Sequence, residues 1–295
     1  MNFAVVATAA SIAALGLIAV APPASAKEVP EVQVRHAVAR MVVIVEDRTD
    51  VAVEIEGGTA GLPRPTVTRR GDEIRIDGEL GRNAVRNCEG GAGGPGGQPG
   101  QTSSVEVRNH GRVQVSAAPL IVVRTPRQVE VSVSDGSAVF GAVGRGATSI
   151  SLSNSGCGDW TVANTSGELD VSLAGSGDVW AGDAGSLDVS LAGSGRVSAG
   201  ATRSLEVAIA GSGSVTARQV DGPVDASIAG SGDVVVRGDA GRLDASIAGS
   251  GSVIVRGRVA SIDSSIMGSG DVRAGSVAGS VSQNSVGSGR VRVGS

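Results

Sequence analysis

Leu187-Asp188-Val189-Ser190-Leu191-Ala192-Gly193-Ser194-Gly195-Arg196-Val197 is answered eighteen residues later by Leu205-Glu206-Val207-Ala208-Ile209-Ala210-Gly211-Ser212-Gly213-Ser214-Val215. The same phrase runs through the whole C-terminal half. A Gly-x-Gly turn begins at Gly156, Gly175, Gly193, Gly211, Gly230, Gly249, Gly268 and Gly287, always 18 or 19 residues apart. So constant a period marks a solenoid, whose repeats bury their apolar faces only by stacking on one another. Positions six, four and two before each first Gly are aliphatic in most repeats, as in Leu187, Val189 and Leu191. Positions four and six after it carry Val197, Ala199 and their equivalents, with Trp160 standing first in the former column. Alternation of this kind describes two strands per coil, each pointing every second side chain inward, joined at a tight Gly-Ser-Gly corner. The expected fold is therefore all-β, a parallel β-solenoid with 18–19-residue coils over residues 150–295.

Composition agrees with that reading. Tyrosine is absent, and Phe140, Trp160 and Trp180 are the only aromatic residues after the first few positions. A globular core of this length is normally filled with rings, whereas a stack of identical coils needs small and branched aliphatics. The 25 basic and 29 acidic residues leave a net charge of -4, which gives no electrostatic footprint for nucleic acid.

The N-terminus divides from the rest. An uncharged apolar run from Phe3 to Val20, then Pro22, Pro23 and Ala24-Ser25-Ala26, reads as a secretory signal over residues 1–26. Beyond it no stretch approaches the length of a membrane helix, so the mature chain is expected to carry no transmembrane segment and to be exported to the periplasm, cell surface or medium. Residues 27–149 form a strand-rich leading segment and irregular early coils. Val51-Ala52-Val53-Glu54-Ile55 and Ile74-Arg75-Ile76 alternate with period two, and residues 89–104 are a Gly-rich loop. An exported chain permits a disulfide, and Cys88 and Cys157 are the only cysteines. A bridge between them and two free thiols are both open on sequence alone.

The AGSGDV-like turns, the Ser155-Gly156-Cys157-Gly158-Asp159 start and the irregular strands before it resemble the GIN-domain family, described as autotransporter-adhesin head domains of unknown function. The resemblance implies a right-handed parallel β-helix with no established activity and an adhesive or envelope role.

Function, if it resides on a regular stack, must reside on the outward columns. Five residues before each first Gly stand Asp170, Asp188, Glu206, Asp225, Asp244 and Asp263, bounded by Ser151 and Ser282. At a strand spacing of about 4.8 Å, neighbouring carboxylates repel by roughly 0.9 kcal/mol even in water. Such a row either serves a cation or a cationic partner, through hard oxygen ligands, or is a solvated face that blocks sheet-to-sheet aggregation. On the second strand the outward column reads Thr161, Trp180, Ser198, Thr216, Val235, Ile254, Arg273, Arg292. Trp180, Val235 and Ile254 are apolar where solvent is expected, so they are candidates for a partner or self-association contact unless the leading segment covers them. Arg218, Arg237 and Arg256 form a short basic column two residues further on. At the corners, Asp178 is expected to pair with Arg196 and Asp271 with Arg290.

No catalytic constellation is visible. His36 and His110 are the only histidines, neither lies in metal spacing or beside a nucleophile motif, and each is expected to be a surface strand residue. No cofactor and no metal is expected beyond the acidic column. The sequence is that of an exported, non-enzymatic binding or adhesion-type envelope protein, with an envelope or extracellular glycan or protein as partner. A self-associating scaffold without a separate ligand is the alternative.

Overall fold

The computed structural model describes residues 29–89, 100–134 and 136–294. The signal reading over residues 1–26 and the central part of the Gly-rich loop lie outside them. Two long parallel sheets run side by side, one from each strand of the coil. In the first, Leu169, Leu187, Leu205, Val224, Leu243, Ile262 and Val281 stand in direct register. In the second, Trp160, Val179, Val197, Val215, Val234, Val253, Val272 and Val291 do the same. The chain is a β-solenoid of about nine turns. Between the sheets the inward columns meet in one continuous core, in which Leu152, Trp160, Val171, Val189, Val215 and Leu243 are fully buried.

The corner explains its glycines. Gly193, Gly211, Gly230 and Gly249 have φ of 132°, 133°, 134° and 138°, backbone that side chains rarely tolerate. A Cβ on Gly211 would also lie 2.4 Å from the carbonyl oxygen of Gly193, one coil below. The first Gly is thus fixed twice, by its dihedral and by close stacking.

Residues 31–45 contain no Gly-x-Gly and nonetheless form a coil. Glu31–Arg35 pairs in parallel with Gln128–Val133, and Val38–Val45 with Ala138–Val143, so residues 46–127 are inserted between two coils adjacent in space. The corner of this coil is made by His36 itself, at φ 49°, with its Nδ1 3.3 Å from an Asp77 oxygen; it is not the surface strand residue expected. Glu73–Asp77 and Leu120–Thr125 extend the two sheets by one more parallel strand each. Beyond them Thr66–Arg70 and Ala52–Glu56 pair antiparallel and end the parallel ladders. Thr66–Arg70 is exposed throughout and carries Arg69 and Arg70, the kind of edge that discourages addition of a foreign strand.

A small antiparallel sheet of Val85–Glu89, Ser104–Val107 and Gly111–Gln114 lies beside the early coils. Its Val105, Val107 and Val113 pack on Val38, Ala138 and Phe140 in a second buried cluster. A disulfide from Cys88 to Cys157 ties this flap to the apex of the first Gly-x-Gly corner. At the other end of the stack, the inward column ends in Gln283, exposed like the rest of its strand, which accepts the Val291 N–H at 3.2 Å and donates to Ser285 Oγ at 3.1 Å.

Candidate functional site

The acidic residues stand as the spacing requires. Asp170, Asp188, Glu206, Asp225, Asp244 and Asp263 are successive partners on the outer face of the first sheet. The column continues where sequence spacing did not reach, since Ser151 pairs with Glu130, Glu130 with Glu31, and Glu31 with Glu73. The signal for these three was a local phrase rather than a period. Glu31-Val32-Gln33-Val34, Glu73-Ile74-Arg75-Ile76 and Glu130-Val131-Ser132-Val133 repeat the pattern of Asp170-Val171-Ser172-Leu173.

Crowding shows in the carboxyl groups. Burial and the charges of Glu31 and Asp170 push Glu130 above its ordinary value. Burial and the charges of Asp188 and Glu168 do the same to Asp170, with a Ser151 hydrogen bond working against them. Two members of the column have a cation in contact among the described residues, Asp244 with the Arg242 guanidinium at 2.9 Å and Glu73 with that of Arg75 at 2.6 Å. Among the described residues no three of His, Cys, Asp or Glu come together in a way that would hold a metal ion. A straight row with one carboxylate per coil supplies too few oxygens at any one point for the six to eight that calcium prefers.

The corner acids make local bonds. Asp178 pairs with Arg196 at 3.2 Å. Asp271 differs from expectation: its side-chain partners are Arg273 at 3.0 Å and Arg292 at 3.5 Å, on the same outward column as each other, while Arg290 stands opposite it in the ladder.

On the second sheet Trp180, Val235 and Ile254 all face outward and all are half-buried. They do not form one patch. Ser198 and Thr216 stand between Trp180 and Val235 in the column, so two hydroxyl-bearing coils separate the indole from the aliphatic pair.

Trp180 instead borders a depression of about 970 Å³. Thr161, Ser198 and Thr216 line it along the axis, together with Gly182 and Gly200. Those glycines are dictated from beneath. A Cβ at Gly182 would fall 2.1 Å from Asn164 Oδ1, and one at Gly200 would fall 2.1 Å from Asp183 Oδ1. Asn164 Oδ1 accepts the Asp183 N–H at 3.1 Å and Asp183 Oδ1 accepts the Ala201 N–H at 2.7 Å, so a short ladder of polar side chains occupies the space. Arg145, Arg218 and Arg237 line the depression, and the Asp183 carboxylate lies at its margin, against Gly200 and Arg218. Arg218 reaches the neighbouring Asp183 at 2.9 Å, and with the Ala201 N–H it holds that carboxyl below its ordinary value. Sequence spacing marks Trp180 and Arg237; Arg145 belongs to an irregular coil and was not legible as part of this place.

The histidines give no second candidate. His36 is the corner residue facing Asp77, which Arg35 also holds at 2.9 Å, and His110 lies in the turn between Ser104–Val107 and Gly111–Gln114. No helix among the described residues is long and apolar enough to cross a membrane.

A family model described as "Putative auto-transporter adhesin, head GIN domain" matches residues 33–240. The match spans the N-terminal coil, its insertion and the stack as far as Ala240, and the same register continues beyond it to Val293. No curated protein matches the chain.

Proposed function

The chain belongs to this head GIN-domain family, and from that premise we propose that it is an exported, non-enzymatic binding protein of adhesion type, acting in the cell envelope or outside the cell. The observation that carries the reading is the unbroken outward register. Thr161, Trp180, Ser198 and Thr216 on one sheet, and Asp170 to Asp263 on the other, occupy equivalent positions on successive coils. A surface of that kind offers the same small contact many times along one axis, which suits an extended partner and multivalent attachment. The family description, an adhesin head, supports the same reading and a surface location.

The test is retention of the purified mature chain on immobilised glycans and on cell surfaces, with sedimentation run alongside. Adhesion expects concentration-dependent retention by a chain that stays monomeric at the concentrations used. Self-association without retention would favour a scaffold, and turnover of a polysaccharide would overturn the non-enzymatic reading.

A further inference from the structure

We propose that the depression beside Trp180 is a binding groove for a carboxylated polysaccharide, laid along the solenoid axis. The proposal rests on the adhesion-type reading above and names its ligand class and site.

Length comes first. Arg145 follows the strand Ala138–Val143 and Arg237 follows Asp233–Val236, and the ladder between them crosses five coil steps. At the spacing of parallel strands that is about 24 Å. A ligand touching both arginines is therefore an extended chain, not a single small molecule.

Chemistry comes next. An indole offers a flat apolar face, against which the C–H face of a sugar ring can lie. Thr161, Ser198 and Thr216 continue the same wall at one hydroxyl per coil, each able to donate and accept, which suits a polymer carrying hydroxyls at regular intervals. Gly182 and Gly200 also line the groove, and a Cβ on either would collide with Asn164 or Asp183, so no side chain projects from these two positions. Among the described residues the charged groups lining the groove are three guanidiniums, with the Asp183 carboxylate at its margin against Arg218, on a chain whose net charge is -4. Guanidinium recognises carboxylate through two parallel hydrogen bonds, and since Arg218 is already engaged by Asp183 at the groove margin, Arg145 and Arg237 are the groups that meet a ligand carboxylate.

Other polymers fit less well. A peptide binding by strand addition needs a free sheet edge, whereas Asp178–Ala181 is paired on both sides, with Trp160–Val162 and Arg196–Thr202. Single-stranded nucleic acid wants aromatic platforms under successive bases, and this groove has one aromatic residue.

The test is calorimetric titration of the full mature chain with a hyaluronan oligosaccharide long enough to span the groove. Neutral dextran, dextran sulfate and single-stranded oligothymidylate of similar length are titrated in parallel. Wild type is expected to bind the carboxylated sugar saturably and neutral dextran not at all. Trp180→Ser places in the column the residue found at Ser198, and it should weaken binding at least about tenfold. The double variant Arg145→Ala/Arg237→Ala changes exposed side chains only and should do the same with an unchanged melting temperature. No saturable binding of the sugar by wild type, undiminished binding by both variants, or equal affinity for oligothymidylate and dextran sulfate would each overturn the proposal. Retention on cell or glycan surfaces that survives both variants would remove the groove and leave the adhesion reading standing. A wild-type chain that self-associates and is retained nowhere would remove the adhesion reading itself.

Discussion

Asp159 accepts the backbone N–H of Asp178 on its Oδ1 at 3.0 Å, so two carboxylates of adjacent coils meet at one corner of the stack. Burial pushes the Asp159 carboxyl up from 3.8 to about 6; the Asp178 N–H opposes the shift and the Asp178 charge adds to it. Between those values the folded chain keeps a proton that the unfolded chain has released. The contribution of Asp159 to stability is accordingly full below about pH 4 and is lost as pH rises through about 6. The shift sets a ceiling of about 3 kcal/mol, and water reaching the corner lowers the expected loss to about 1–2 kcal/mol. Asp159→Asn keeps the acceptor for the Asp178 N–H and has no carboxyl proton to lose. Urea unfolding at pH 4 and pH 7.5 should show a decline smaller in the variant than in wild type by about 1–2 kcal/mol, the remainder coming from raised carboxyls such as Glu130 and Asp170; equal declines would refute the assignment.

The disulfide closes a separation of 69 residues and holds the antiparallel flap to the first regular corner. A loop of that length corresponds to about 4 kcal/mol in the chain-entropy model. Because the flap has its own small cluster around Val105, Val107 and Val113, its loss should be local before it is global. The double variant Cys88→Ser/Cys157→Ser is expected to accelerate hydrogen exchange through Ser104–Gln114 strongly, while amides of Leu187–Leu191 and Leu205–Ile209 keep their protection. Uniform loss of protection along the chain would show that the flap and the stack unfold as one unit.

The contrast between legible and illegible parts has a physical basis. Inward columns such as Val197, Val215, Val234 and Val253 could be read because neighbours in space are also neighbours in period, one coil apart. Residues 31–45 could not, because their ladder partners are residues 128–143 and their corner is His36 in place of Gly. The acidic column was legible from Asp170 to Asp263 for the first reason, and Glu31, Glu73 and Glu130 were missed for the second. Trp180 was visible as an apolar residue on an outward face. Its groove was not, because the depression depends on what lies beneath Gly182 and Gly200, and sequence alone shows those glycines only as part of a return connection.

Like charges in register also make a prediction about salt. Asp188, Asp225 and Asp244 each stand between two other acids, and among them only Asp244 is contacted by a cation. The triple change to Asn removes neighbour repulsion of a few tenths of a kcal/mol per site, most of it at low ionic strength. The variant should melt at or above the wild-type temperature in dilute buffer, and the difference should shrink as sodium chloride is added. A less stable variant at low salt would mean that these carboxylates are needed where they are, and calcium titration of both proteins would then identify what they hold.

Gly211 tests whether the corner or the columns limit the stack. Its φ of 133° and the 2.4 Å approach of the Gly193 carbonyl oxygen to its missing Cβ leave no relaxed place for a methyl group. Ser212 stands at the apex between the two glycines and is exposed, so Ser212→Ala is a matched control at the same corner. Gly211→Ala is expected to cost about 2–4 kcal/mol, since dihedral strain and a backbone clash add, whereas the control should stay within about 0.5 kcal/mol of wild type. In a stack stabilised by nearest-neighbour contacts the damage should be greatest in the coils on either side, Ser186–Gly193 and Val224–Gly230. Hydrogen exchange resolved by residue, beside urea unfolding, checks both claims. If Gly211→Ala unfolds at the same denaturant concentration as Ser212→Ala, the repeated glycines do not set the stability of the corner, and the weight of the fold rests on the inward aliphatic columns alone.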